Sequence, residues 1–126
     1  MRYLIDSNVW IEAAANAPCA VKALQHAVQG SRVGYSAITR LELFGYPDLN
    51  TEEERHLKEL IGLFVEVAVT TDIIDKAITI RRIKRVRIPD ALIAAAALQT
   101  NSALITRNTD DFKDIDDLNI INPELI

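Results

Sequence analysis

Cysteine occurs once, at position 19, so no internal disulfide can form and the chain suits a reducing compartment. The apolar flank of Cys19 predicts a small buried side chain, not a reactive thiol. Histidine is almost as scarce: His26 and His56 are the two in the chain, and no Cys/His grouping of the kind that binds zinc is present. No apolar run reaches the roughly 20 residues needed to span a bilayer. Met1-Arg2-Tyr3-Leu4-Ile5 meets Asp6 too early for a secretory signal, so a cytoplasmic location with no membrane contact is expected. The 4 glycines and 4 prolines form no linker or low-complexity tract, and no Gly-rich run ends in Gly-Lys-Ser/Thr, which excludes P-loop chemistry. No solenoid-type repeat is visible. Positive charge is also in deficit, with 14 Lys and Arg against 18 Asp and Glu for a net charge of -4. That balance argues against a generally basic nucleic-acid-binding surface. What remains is an ordinary globular composition over 126 residues, enough for one core and one domain spanning 1–126.

Within that domain, strand and helix signals alternate. Residues 2–5 read as a buried strand that stops at Asp6-Ser7-Asn8, before the apolar Val9-Trp10-Ile11. Pro18 opens a helix with Val21, Leu24 and Val28 at helical spacing and Gly30 after its end. Val33-Gly34-Tyr35 is a second strand, and Ile38 to Phe44 reads as a helix. Thr51-Glu52-Glu53-Glu54 is a capping-box signature for a helix through Leu57, Leu60 and Ile61. Phe64 to Val69 alternates as a third strand, and Thr71 caps the helix through Ile74, Ala77 and Ile78. Pro89-Asp90 starts a helix, Ala91 to Leu98, with too little polar surface to lie outside. Leu104-Ile105-Thr106 and Asn119-Ile120-Ile121 complete five strands. Such alternation predicts an α/β fold with a parallel sheet covered on both faces.

In open parallel sheets, ligands bind beyond the carboxyl ends of the strands. Four acids fall there: Asp6 after the first strand, Glu42 shortly after the second, Asp90 in the first turn of the central helix, and Asp111 past the fourth strand. Singly, each has a plain structural role. Asp90 suits a helix N-terminus, Glu42 could close a capping box with Thr39, and Asp6 and Asp111 suit turns. Together they would repel by a few kcal/mol per pair at about 4 Å and an effective dielectric near 20, unless a cation intervenes. Oxygen-only ligands favour Mg²⁺ or Mn²⁺.

The segments Met1-Arg2-Tyr3-Leu4-Ile5-Asp6-Ser7-Asn8, Ile38-Thr39-Arg40-Leu41-Glu42-Leu43, Ile88-Pro89-Asp90-Ala91-Leu92-Ile93-Ala94-Ala95-Ala96-Ala97, Leu104-Ile105-Thr106-Arg107-Asn108-Thr109-Asp110-Asp111-Phe112 and Ile120-Ile121-Asn122-Pro123 resemble, in order and spacing, the PIN domain and within it the VapC-type toxins. The resemblance covers nearly the whole chain. It implies a three-layer α/β/α fold, a metal-dependent endoribonuclease selective for single-stranded RNA, a homodimer, and a cognate VapB-type antitoxin. By position it assigns Asp6, Glu42 and Asp90 to the family's first three acids. Asp111 matches the fourth, with Asp110 and Asn108 as alternatives. Asn8 and Thr106 are expected to support the ligands. Ala96 stands where many relatives have Thr, which removes a supporting hydrogen bond.

The chemistry expected of such a site is attack of a cation-activated water on phosphorus, leaving 5′-phosphate and 3′-hydroxyl ends. Cleavage through the 2′-hydroxyl would need an acid–base pair, and the two histidines read as helix residues away from the acids. The basic segment Arg81, Arg82, Lys84, Arg85 and Arg87 could contact RNA or a partner, or be a solvated face. Trp10 and Phe44 are expected in the core and Tyr46 on the surface. Two other classes fit less well. A dehalogenase-type phosphatase would want an acid where Asn8 stands, and a receiver would want paired acids near its first strand. A PIN-like binding module that cuts slowly or not at all would carry the same four acids.

Overall fold

Alternation within three-residue strands sets the layers. The computed structural model describes residues 2–29 and 32–126, in which β1 (Tyr3–Ile5), β2 (Val33–Ser36), β3 (Val65–Val67), β4 (Ala103–Ile105) and β5 (Ile120–Ile121) form one parallel sheet in the order β3-β2-β1-β4-β5. Successive side chains of a strand point to opposite faces. Leu4 and Leu104 accordingly enter one core with Ile73, Ala77, Ile80, the alanines of residues 94–97, and Phe112. Ile5 and Ile105 enter the other with Val9, Trp10, Ala20, Leu24, Leu43, Leu57 and Ile61. Both faces are covered, and the expected α/β/α architecture with five parallel strands is what forms.

The helices on the second face are α1 (Ser7–Ala14), α2 (Pro18–Ala27), α3 (Ala37–Phe44) and α4 (Thr51–Ile61), while α5 (Thr71–Ile83), α6 (Ile88–Gln99) and the short α7 (Thr109–Phe112) serve the first. Among the described residues none is long and apolar enough to cross a membrane. Trp10 is fully buried, its Nε1 donating to the Ile5 carbonyl oxygen at 3.0 Å, and it packs against Tyr35 and Phe64. Phe44 lies at the edge of the same core, and Tyr46 is exposed, as expected.

Three local expectations are corrected. Helix α4 is capped by Asn50, not Thr51: Asn50 Oδ1 accepts from Glu53 N at 2.8 Å and Glu53 Oε1 accepts from Asn50 N at 3.2 Å, so the box begins one residue earlier. Helix α5 likewise takes Thr70 as its cap in place of Thr71, because Thr70 holds the extended backbone that an N-cap requires. Cys19 is exposed. It precedes the inward-facing Ala20 in a helix whose buried stripe is Ala20, Ala23, Leu24 and Ala27, so the helical turn of about 100° per residue carries its thiol outward. The expected stop of α2 at Gly30 lies outside the described residues, and α2 ends at Ala27.

The chain leaves β1 toward β2 and β3 on one side, then returns to place β4 and β5 on the other. The two halves of the sheet therefore diverge between β1 and β4, at whose carboxyl ends parallel sheets bind ligands.

Candidate functional site

Asp6 stands at that switch point. It is the N-cap of α1, 5% exposed, with its backbone N donating to the Ile105 carbonyl oxygen at 3.0 Å across from β4. Its Oδ1 accepts from Ser7 N at 2.8 Å, and its Oδ2 accepts from Thr106 Oγ1 at 2.8 Å and Asn8 Nδ2 at 3.2 Å. Strand β4 ends at Ile105, one residue earlier than expected, which places Thr106 in the turn with its hydroxyl toward Asp6. Thr106 is wholly buried and also accepts from Asn108 N at 3.1 Å, while Asn8 Oδ1 accepts from Arg107 N at 3.3 Å. Asn8 and Thr106, expected to support a metal ligand, both donate to Asp6. Asn108 contributes its backbone N–H to the network, and its side chain makes no cap for α7.

Asp90 occupies the first turn of α6, whose first turn also contains Pro89, and is 7% exposed. Its Oδ2 accepts from Arg87 Nε at 3.2 Å. Glu42 projects from α3 and is exposed, its Oε1 2.7 Å from Ser7 Oγ. Ser7 shares that hydroxyl with Thr39 Oγ1 at 3.1 Å. Glu42 closes no capping box with Thr39, because α3 is capped by Ser36 and Thr39 lies inside the helix. Asp111 is exposed on α7, which Phe112 anchors in the core. Its neighbour Asp110 faces Lys113 at 3.9 Å.

The electrostatics tie the acids together. Burial pushes the Asp6 carboxyl above its ordinary value, the bonds from Thr106 and Ser7 oppose that shift, and the charges of Glu42 and Asp90 add to it. The Arg87 guanidinium is held in its charged form chiefly by its bond to Asp90, with Asp111 and Glu42 also acting on it. Glu42 and Asp90 thus act on both Asp6 and Arg87, and Asp111 acts on Arg87 alone. Among the described residues no three His, Cys, Asp or Glu side chains stand in ready-made ligand geometry. The donor set nevertheless fits a hard cation in its chemistry. It is all carboxylate oxygen, with one acid whose ionised form is disfavoured chiefly by burial and further by its like-charged neighbours, and Asp90 Oδ1 accepts no hydrogen bond from the described residues.

Of the five basic residues singled out in the sequence, Arg87 alone contacts one of these acids among the described residues. Arg81 donates from Nε to the Val86 carbonyl oxygen at 3.0 Å and, with Arg82, borders a hollow lined by Ile74, Ile78 and Ile88. Lys84 lies in another hollow near Asp114, Asp116 and Asp117, and Arg85 is exposed. His26 is exposed at the edge of Tyr3, and His56 pairs with Glu52 at 3.5 Å. Sequence reasoning missed Ser7 and Thr39 as site groups. The signal for Ser7 was its place beside Asp6 on the first turn of a helix; for Thr39, three residues before Glu42, it was one turn of separation.

These observations define an α/β protein with a buried acid at the switch point of a parallel sheet and further acids whose charges act on it. Residues 3–118 match the PIN domain family, and the chain belongs to it. No curated protein matches the sequence. Among solved structures, the chain is similar to a toxin–antitoxin complex from Klebsiella pneumoniae, at 27% identity and a TM-score of 0.84, over 96% of this chain and 97% of that one. It is similar to FitAcB from Neisseria gonorrhoeae at 26% identity and a TM-score of 0.78, over 98% and 99% of the two chains. VapBC2 from Rickettsia felis, bound to a DNA fragment from its promoter, shares the fold at 21% identity and a TM-score of 0.86, over 97% and 98%.

Proposed function

We propose that the protein is a Mg²⁺- or Mn²⁺-dependent endoribonuclease acting in the cytoplasm on single-stranded RNA, the toxin of a VapBC-type pair. The observation that carries this reading is Asp6: a carboxyl at the switch point, held by three donated hydrogen bonds, whose charge is disfavoured first by burial and further by Glu42 and Asp90. A protein gains no stability from gathering acids this way, and a dication removes the repulsion. Asp6 and Asp90 would hold the ion, with Glu42 and Asp111 completing the site.

What a bound dication supplies is acidification of water and neutralisation of the charge that builds on the phosphoryl group. The rest falls to the chain. Thr106, Asn8 and Ser7 N aim the Asp6 carboxylate and favour its ionised form. Ser7 Oγ, on the residue next to Asp6, fixes Glu42 beside the site, where its carboxylate would accept a proton from the attacking water. Phe112 anchors α7 and with it the approach of Asp111.

The solved neighbours that are a toxin–antitoxin complex and VapBC-1 from nontypeable Haemophilus influenzae support a VapB-type partner. So does a groove of about 380 Å³ between α1, α3 and α4, lined by Ile11, Tyr46, Leu49 and Leu57 and flanked by Glu42. The exposed Ile74, Ile78, Ile83 and Ile88 on α5 and α6 support a homodimer through that face. The test is cleavage of a single-stranded RNA by wild type, Asp6→Asn and Asp90→Asn, in Mg²⁺ and in EDTA. Cutting by wild type in Mg²⁺ alone is expected, and undiminished cutting under chelation rejects the reading.

A further inference from the structure

Arg87 sits where a cation is unwelcome to the secondary structure. It is the N-cap of α6, its side chain makes no cap, and the partial positive charge of a helix N-terminus disfavours a guanidinium there. The side chain is 72% exposed and is tied to Asp90 by one hydrogen bond, Nε to Oδ2 at 3.2 Å. Arg40 shows the alternative within the same molecule: it grips Glu66 through two atoms, Nε on Oε1 and Nη2 on Oε2. Paired guanidinium and carboxylate groups are frequently bidentate, which spends both arms of the fork. Arg87 leaves both Nη atoms without a partner among the described residues, while the charges of Asp111 and Glu42 act on it as well.

We infer that Arg87 is the resident counter-ion of the acid cluster, which gives up Asp90 when a divalent cation enters and then holds an RNA phosphate beside it. The inference rests on the nuclease reading above. A dication on either oxygen of the Asp90 carboxylate, the free Oδ1 included, repels the guanidinium on Oδ2, and the singly bonded, 72% exposed Arg87 is the cation able to withdraw into water. The released fork keeps all its donors in the planar arrangement that matches phosphate oxygens. The Arg87 contact to Asp90 is thus a positioning contact in the absence of metal and a substrate contact in its presence.

Calorimetric titration with MnCl₂ and binding of a labelled single-stranded RNA, in EDTA and in Ca²⁺ with the RNA checked for integrity, test this on wild type, Arg87→Gln and Arg87→Lys. Arg87→Gln is expected to bind Mn²⁺ about two- to fivefold more tightly, the fold-change that an exposed ion pair is worth. Its RNA affinity should match wild type in EDTA and fall at least about fivefold in Ca²⁺, with a salt slope smaller by about 0.7, the value for one single-strand phosphate contact. Arg87→Lys should keep wild-type Mn²⁺ affinity and lose part of the RNA affinity, because it retains the charge without the fork. Unchanged or weaker Mn²⁺ binding by Arg87→Gln, or an equal loss of RNA affinity in both media, overturns the inference and leaves the nuclease reading standing. Failure of wild type to bind Mn²⁺ or RNA overturns both.

Discussion

Replacing Thr106 by Val separates a hydroxyl's contribution from that of the volume it fills. Thr106 is wholly buried, and Val has almost its shape, so any cost comes from the oxygen. That oxygen donates to Asp6 Oδ2 at 2.8 Å and accepts from Asn108 N at 3.1 Å. Hydrogen bonds to a charged group contribute roughly 1.5–3 kcal/mol, and a donor left without its acceptor costs about 1–3 kcal/mol when shielded from water. Asn108 lies in a surface turn where water can replace part of the loss, so a total near 2 kcal/mol is expected at pH 7 in EDTA. For a chain of this length that lowers Tm by roughly 6–12 °C. The cost should depend on pH, because Thr106 favours the ionised form of Asp6 and its removal raises the Asp6 pKa further. Urea unfolding should show less destabilisation once acid has protonated Asp6, since a bond to a neutral carboxyl is worth less. Mn²⁺ affinity at pH 7 should drop by about tenfold or more, the usual cost of losing a group that orients a ligand. A destabilisation of the same size at every pH, together with unaltered Mn²⁺ affinity, would make Thr106 an ordinary core residue and refute the argument.

The Asp6 carboxyl itself gives a linkage test: its folded pKa is raised above the ordinary 3.8, so its contribution is most favourable below the unfolded value and is lost as pH rises through the folded one. In EDTA, the stability of wild type relative to Asp6→Asn should therefore improve as pH falls from 7 toward 4, and a difference that moves the other way in urea titrations would count against a strained Asp6. Phe112→Ala removes a fully buried ring and should cost about 3–5 kcal/mol, lowering Tm in calorimetry and weakening Mn²⁺ binding by loosening α7 beneath Asp111. Cys19, exposed on α2, should react completely with a maleimide in the native protein while RNA cleavage is retained; a thiol reactive only in urea would contradict its placement.

The layers were legible because their signals are periodic or unusually strong. The alanine-rich run of residues 91–97 could only be central, and Ala91 and residues 93–97 are indeed buried. The strand order was not legible, because parallel strands joined by helices allow several, and it is the crossing from β3 back to β4 that puts Asp6 at the switch point. Caps were harder to read, since Asn50 and Thr51, or Thr70 and Thr71, offer adjacent side chains of nearly equal capping power and the choice depends on where the backbone is extended. Cys19 was misjudged because apolar neighbours in sequence say little about a helix, where adjacent residues face directions about 100° apart. Arg87 was visible only as part of a basic run. Its distinction from Arg81 appears once α5 ends and the chain turns, sending one guanidinium to a backbone carbonyl and the other to Asp90.

The groups around Asp6 oppose one another in a way that constrains what the site can be. Were the cluster merely structural, the simplest arrangement would protonate Asp6 or leave it in water. Instead Thr106, Asn8 and Ser7 N all donate to it, which stabilises the charge that burial, Glu42 and Asp90 disfavour. Donors that favour the ionised carboxylate against its surroundings keep it available to a cation, and their attachment to two different strands makes the geometry depend on the whole sheet. Thr106 follows β4 and Asp6 follows β1, so the register of that one strand pair, Leu4 beside Leu104 and Ile5 beside Ile105, sets the distance between them. A shift by one residue would exchange the two cores and separate the hydroxyl from the carboxylate at once. The packing of Leu4 and Ile5 on opposite faces is therefore also what positions the site.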